Sequence, residues 1–254
     1  MNFFSPKSAA ERYAAGRIYF HPLVVGRIRE LLSLREPVAR ALDVGCGTGL
    51  SSVALKEIAR EVVGLDASQE MLAHAPRDAG LVYLCAVAER LPFAARRFDL
   101  LTMSQVFHWV EVRAFFAEAA RVLRARGWLV VYDNYMTGRM RGNDEFEAWF
   151  REAYLRRYPS PPRGALSFDE EETRGAGFEL FAHERQASAV EFSVAGLVDF
   201  LSTQSNVIAA VEGRGEEIDA AKEWLTKGIR PHFGEAARAE FLFDAPIWCL
   251  RSVV

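Results

Sequence analysis

The residues Leu42-Asp43-Val44-Gly45-Cys46-Gly47-Thr48-Gly49 hold the spacing in this chain best suited to chemistry. A short β-rich run ends, three glycines follow at alternate positions, and a helical pattern begins. Glycine lets the backbone turn sharply and lets a ligand approach without meeting a Cβ. In open α/β sheets ligands bind outside the carboxyl ends of the strands, and this is the first such loop. The dinucleotide fingerprint G-x-G-x-x-G would need glycine at position 50, which is Leu50, so the nicotinamide-dinucleotide template fails. The Gly-Lys-Ser/Thr phosphate loop is missing as well. Asp66 ends the next strand-like run, 21 residues after Gly45. An acidic side chain there can accept two hydrogen bonds from a ribose diol; the plainer reading is a helix N-cap or surface turn.

The elements that would hold these residues alternate through the first half. Residues 21–34 repeat apolar side chains at helical spacing, and Arg40 to Val44 reads as a strand. Leu50 to Arg60 reads as a helix, Glu61 to Asp66 as a second strand, and Gln69 to Ala75 starts another helix. Val82 to Ala86 and Phe98 to Ser104 are the third and fourth strands. Val112 to Leu123 is a helix with Phe115, Phe116, Ala119 and Val122 facing inward. Gly127 stops it, and Trp128 to Asp133 is the fifth strand. Such repeats call for a doubly wound, mostly parallel α/β sheet, and the near-continuous apolar strands fit burial on both faces.

After about residue 135 the pattern changes. Residues 143–158 read as an Arg- and aromatic-rich helix in which Phe146, Trp149 and Phe150 share a core-facing spacing. A polar stretch at 159–177 contains the acidic run Asp169–Glu172, read as a solvated loop or helix start. Phe178 to Val190 is extended, and Ser193 to Ala210 is a helix interrupted near Thr203–Asn206. Glu216 to Ile229 is a further helix. Glu240 to Val253 is a last strand, in which Pro246 argues for a bend or an edge.

Half of the 254 residues are apolar, a quarter are charged and the net charge is −3, so the chain can bury a core and shows no general nucleic-acid-binding surface. Only Lys7, Lys56, Lys222 and Lys227 are lysines among the 31 basic residues, a bias more in keeping with genome composition than with a phosphate clamp. Cys46, Cys85 and Cys249 are far apart, so neither a zinc site nor a disulfide framework is expected, which fits a reducing compartment. The first residues lack the long apolar run of a secretory signal, and no charge-free stretch reaches transmembrane length. The expectation is a soluble, cytoplasmic protein with no membrane or nucleic-acid partner.

LDVGCGTG, VVGLDAS and AVAERLPFAARRFDLLTMSQVFHWV, in that order, resemble the class I S-adenosylmethionine-dependent methyltransferases, small-molecule type. The likeness is to the trans-aconitate and ubiquinone-biosynthesis enzymes, through the His-Trp pair after the fourth strand. It implies a Rossmann-like, doubly wound seven-stranded sheet, mostly parallel with an antiparallel last strand, plus a helical cover. Residues 12–135 would be the cofactor-binding core of a single domain, residues 136–230 a substrate cover with strand six, and residues 239–253 the last strand. The resemblance assigns Gly45, Cys46 and Gly47 to the methionine part of S-adenosylmethionine. Asp43 would orient the loop or reach the amino group through water. Asp66 would take the ribose hydroxyls and Ala67 flank the adenine. Ala88 and Glu89 match the small-acidic pair whose backbone meets the adenine edge. Ser104 and Gln105 offer a backbone carbonyl, and Trp109 packs the pocket. The amino-terminal segment would fold over the cofactor, with Tyr13 or Tyr19 closing it or serving as ordinary core aromatics.

A sulfonium methyl donor is already activated, so methyl transfer asks chiefly for alignment and exclusion of water. A carboxylate acceptor is ionised at neutral pH and needs no base; a phenol, amine or carbon acid does. His108 is the candidate base, set against a structural histidine, which the sequence favours. On the substrate side Tyr135, Arg139 and Gln204 are candidates. Arg139 with Arg141 could fork a carboxylate or simply be solvated loop residues. Two other readings stay open: a non-catalytic or regulatory protein that keeps the cofactor pocket, and a nucleotide-dependent oxidoreductase.

Overall fold

A computed structural model describes residues 6–162, 168 and 170–253. Its strands are β1 (Val38–Val44), β2 (Ala59–Asp66), β3 (Leu81–Cys85), β4 (Phe98–Ser104), β5 (Leu123–Tyr132), β6 (Tyr135–Met140), β7 (Phe178–Phe192) and β8 (Ala239–Ser252). The helices are α1 (Lys7–Gly16), α2 (His21–Leu31), α3 (Leu50–Leu55), α4 (Gln69–Leu72), α5 (Val112–Val122), α6 (Glu145–Trp149), α7 (Leu155–Arg157), α8 (Glu170–Gly175), α9 (Val194–Ser202), α10 (Ser205–Ile208) and α11 (Ile218–Phe233). Two compact units result. The larger comprises Tyr19–Asn134, Arg163–Gln186 and Ala245–Val254; the smaller comprises Met1–Ile18, Tyr135–Pro162 and Ala187–Asp244.

The larger unit is the expected α/β fold. Its strands run in the order β3-β2-β1-β4-β5-β8, parallel up to β5 and antiparallel between β5 and β8. The apolar runs of β1 and β4 are buried almost throughout, as strands covered on both faces must be. Helix α5 lays Phe115, Phe116, Ala119 and Val122 on one face, against Leu101, Met103 and Leu129. Its start is capped by Glu111, whose carboxylate accepts from the backbone N–H groups of Arg113 and Ala114. The other face meets α2 and α3. Ser68 caps α4 by accepting from Met71 N–H at 3.2 Å.

The smaller unit has its own core, in which Phe146, Tyr154, Phe200, Leu225 and Phe241 are buried. Trp149 and Phe150 pack against it, as their spacing requires. The helix expected over 143–158 is broken by a π-helical stretch, Phe150–Tyr154. The polar segment Thr203–Asn206 is a helix break. Ser202 and Thr203 hydroxyls donate back to the Val198 and Phe200 carbonyls at 2.7 and 2.6 Å. Buried Asn206 accepts from the Tyr154 hydroxyl and donates to the Tyr158 carbonyl.

Five expectations change. There are eight strands among the described residues, because Tyr135–Met140 pairs antiparallel with Phe241–Asp244; Gly138, at φ +80°, interrupts the alternation that would have marked it. The helix expected over Leu50–Arg60 ends at Leu55, and the one expected over Gln69–Ala75 ends at Leu72. Gly127 does not stop α5: Leu123 already opens β5, paired with Phe98, and a bulge follows. Pro246 marks no sheet edge. Pairing with β6 stops at Asp244 and pairing with β5 begins at Ile247, so the missing N–H falls between the two. The run Asp169–Glu172 begins at a residue outside the described ones, and α8 forms from Glu170.

Candidate functional site

The glycine loop leaves β1 in the larger unit. All three glycines take positive φ: +71° at Gly45, +54° at Gly47 and +78° at Gly49. A Cβ on Gly45 would lie 2.6 Å from both Val106 methyl carbons, and one on Gly49 2.6 Å from the Tyr83 hydroxyl. The loop is pinned by its own amides: Gly45 and Cys46 N–H donate to the Leu65 carbonyl at 2.7 and 3.0 Å. Gly47 N–H donates to Asp66 Oδ2 at 2.8 Å.

Asp43, the acidic residue of the loop motif, is wholly buried beneath it. Its Oδ2 accepts from Ser51 Oγ at 2.6 Å and Ser52 Oγ at 2.7 Å, both on α3, and its Oδ1 accepts from Thr102 Oγ1 on β4 at 3.0 Å. One carboxyl therefore joins β1, β4 and the first turn of the helix that follows the glycines. Burial pushes it up to about 6, against the pull of its three hydroxyl donors. Asp66 is held at both oxygens, by Ser68 N–H on Oδ1 and Gly47 N–H on Oδ2, each at 2.8 Å. Burial raises its pKa too, and the Ser68, Gly47 and Ala67 amides oppose that rise. Burial, then Asp43 and Asp66, pushes the Cys46 thiol well up, so the thiol stays neutral.

Val106 lies against Gly45, so the turn after β4 is packed on the glycine loop. That turn is the single 3₁₀ turn Phe107–Trp109. Phe107 is buried 6.1 Å from the Phe115 ring, while His108 and Trp109 stay half-buried with their rings 4.9 Å apart. Gln105 adopts φ +58°, and its Nε2 donates to the Asn134 carbonyl at 2.6 Å. Ser104 is buried at the end of β4. Ala67 is exposed and Ala88 buried; Glu89 accepts from Glu111 N–H at 2.9 Å. Tyr19 is exposed, in the larger unit. Asp43, Gly45, Cys46, Gly47, Asp66, Ala67, Ala88, Glu89, Ser104, Gln105, His108, Trp109 and Tyr19 thus share one compact unit.

Tyr13, Tyr135, Arg139 and Gln204 belong to the smaller unit. Tyr13 carries the Arg17 guanidinium 5.0 Å from its ring centre. Tyr135 donates its hydroxyl to Asp244 at 2.9 Å. Arg139 faces Glu147 at 3.7 Å and Arg141 faces Glu240 at 2.8 Å, so each arginine has a carboxylate of its own. Gln204 opens α10 with its amide 3.5 Å from the Phe200 carbonyl.

Sequence reasoning missed the supporting polar residues. Ser51, Ser52 and Thr102 read as ordinary helix and strand positions, although two serines directly after the glycine motif were a visible signal. His21, whose Nδ1 lies 3.0 Å from the Tyr132 hydroxyl, looked like the start of an amphipathic helix. Asn134 carried no signal at all.

Residues 42–131 match the family model described as methyltransferase domain. A Dictyostelium discoideum protein described as a methyltransferase is 24% identical over 216 residues, 84% of this chain and 81% of that one. The ubiquinone biosynthesis O-methyltransferase of Bartonella quintana is 32% identical over 127 residues, 44% of this chain and 51% of that one. A solved structure of a protein assigned as a type II methyltransferase from Anaeromyxobacter dehalogenans superposes with a TM-score of 0.69 at 21% identity, over 91% of this chain and 96% of that one. This chain thus spans about four fifths of the first relative and half of the second. Residues 42–131 thus carry a methyltransferase domain, and S-adenosylmethionine is its cofactor.

Two outcomes follow from this geometry. Gly45→Ala places a side chain in left-handed backbone and against Val106; it should destabilise the fold by about 1–3 kcal/mol in urea unfolding and weaken S-adenosylhomocysteine binding in calorimetry. Wild-type affinity and stability would show that the loop tolerates a Cβ. The Asp43 carboxyl binds its proton more tightly folded than unfolded. Its contribution to stability is therefore complete below roughly pH 4 and declines as pH rises towards about 6. Wild type should lose on the order of 2–3 kcal/mol across that window relative to Asp43→Asn. A difference between the two that is flat with pH contradicts the assignment.

Proposed function

We propose that this methyltransferase transfers the methyl group to an oxygen nucleophile of a small molecule, a carboxylate being the acceptor best suited to the site. The observation that carries the cofactor half of this reading is the glycine loop with the buried Asp43 beneath it and the half-buried Asp66 bonded to it. The three left-handed glycines let Val106, Met71 and Tyr83 pack against the turn where a Cβ would clash, and a backbone bent in this way fits close approach by the amino-acid end of a nucleoside cofactor. Asp66 spends one lone pair of each oxygen on an amide and keeps the others for the two ribose hydroxyls. Asp43 is wholly buried with three of its lone-pair positions already taken, so its role in this reading is to set the loop. The Ala88 and Glu89 backbone and Ala67 border the adenine, and Trp109, with Tyr19, closes the pocket. The bound cofactor supplies a sulfonium whose methyl is transferred by in-line displacement.

The oxygen acceptor is supported by the relative whose name specifies an O-methyltransferase. A carboxylate needs no proton removed, so the chain's residues need only bind, orient and keep out water. His108, on a turn anchored by Phe107 and packed on the glycine loop through Val106, is in this reading the base that a phenol acceptor would need.

Turnover against a panel of carboxylic acids, phenols and amines tests the acceptor class. Carboxylates should react, and His108→Ala should leave that rate within a few-fold, whereas loss of a general base costs roughly 100-fold or more. Turnover confined to amines would overturn the reading. Asp66→Ala should weaken S-adenosylhomocysteine binding by roughly 1.5–3 kcal/mol in calorimetry; unchanged affinity would remove Asp66 from the ribose role.

A further inference from the structure

On the face of the sheet that meets α2 and α3, polar side chains cross the carboxyl ends of three strands. Register sets Asp43 beside Thr102 and Ser104 beside Tyr132, and alternation along β4 puts Thr102 and Ser104 on one face. Asp43 accepts from three hydroxyls, and the hydroxyl of the wholly buried Tyr132 meets His21. Two further groups are left without a partner among the described residues. They are Ser104 Oγ, in a residue 8% exposed, and Asn134 Nδ2, in a residue 4% exposed. An unpaired buried polar group costs free energy comparable to a lost hydrogen bond, and native structures rarely keep one without a use for it.

The main chain around both groups is fixed. Gln105, next to Ser104, donates its own N–H to the Tyr132 carbonyl at 3.0 Å and its side-chain amide to the Asn134 carbonyl. Asp133 N–H donates to the Pro246 carbonyl at 3.1 Å. Terminal amide and hydroxyl torsions remain soft, so both groups can turn to a ligand without moving the backbone. They stand at the carboxyl ends of adjacent parallel strands, where sheets of this type bind ligands.

We propose that Ser104 Oγ and Asn134 Nδ2 form a subsite that holds an oxygen of the methyl acceptor. Asn134 Nδ2 only donates, so its ligand must bring lone pairs, and Ser104 can turn its hydroxyl to donate beside it. A carboxylate offers about four lone-pair positions on two oxygens, whereas an ammonium offers none. The subsite therefore favours a carboxylate, which can fill both donors and keep lone pairs to attack, over a reacting neutral amine, whose single lone pair must be left free for the methyl. It rests on the oxygen-acceptor reading above and assigns that reading two specificity-determining residues. The carboxylate of the cofactor's own methionine end has the same chemistry, so the test separates the two sources.

The full chain is compared with Asn134→Ala, Ser104→Ala and Asn134→Asp, each first checked for a wild-type melting temperature. Calorimetry measures S-adenosylhomocysteine and 5′-methylthioadenosine, which lacks the amino-acid end. Initial rates use the fastest acceptor of the panel, whatever its class. The expected result is cofactor-product affinity within about two-fold of wild type. For a carboxylate acceptor KM should rise roughly 10- to 100-fold in Asn134→Ala, with a smaller change in kcat, and rise further in Asn134→Asp, whose charge repels it. An unchanged KM in both Asn134 variants overturns the subsite, even if the fastest acceptor is an amine and the oxygen-acceptor reading has already failed. A ten-fold loss for S-adenosylhomocysteine alone, with methylthioadenosine unaffected, overturns it in favour of the cofactor's methionine carboxylate.

Discussion

A single buried carboxyl holds the glycine loop in place. Asp43 lies under the loop with no exposed surface and takes hydroxyl donors from Ser51, Ser52 and Thr102. It adds a side-chain tie among β1, β4 and the start of α3 to the backbone bonds that pin the three left-handed glycines. The glycines supply room and the carboxyl supplies position; either alone would leave a loose turn. The same arrangement explains why its protonation matters. A carboxyl taken from water beside only neutral donors holds its proton more tightly, which links the shape of the loop to acidity.

Around that tie the larger unit is built as layers of use. One sheet face is sealed by α5 through its phenylalanines, which also anchor the turn carrying His108 and Trp109. The other face is polar at its upper end, with Asp43, Thr102, Ser104 and Tyr132 meeting α2 and α3. Asp66 works from the neighbouring strand, bonded to the loop at Gly47 and to its own turn at Ser68. The fold itself does not choose an acceptor. Likeness to other methyltransferase structures accounts for the architecture, and the acceptor must be argued from side chains.

Much of this was legible in the sequence because the responsible signals are local. Alternate glycines after an apolar run, an aspartate one strand later and helical apolar spacing in 112–122 each depend on neighbours in the chain. The strand Tyr135–Met140 was hidden because Gly138 breaks its alternation and its partner, Phe241–Asp244, lies a hundred residues away. The long helix readings failed at their ends, where α3 stops to let β2 begin and α5 runs straight into β5. His21 with Tyr132, and the unpaired Ser104 and Asn134, come together only through sheet register, which no local pattern announces.

The central claim is that the glycine loop of β1 seats the nucleoside cofactor. A crystal structure of the chain with S-adenosylhomocysteine tests it most directly. The account predicts the amino-acid end of the ligand over Gly45–Gly47 and both ribose hydroxyls on Asp66. A ligand bound elsewhere, or a loop that stays closed on itself with Asp66 bonded only to Gly47 and Ser68, would contradict it.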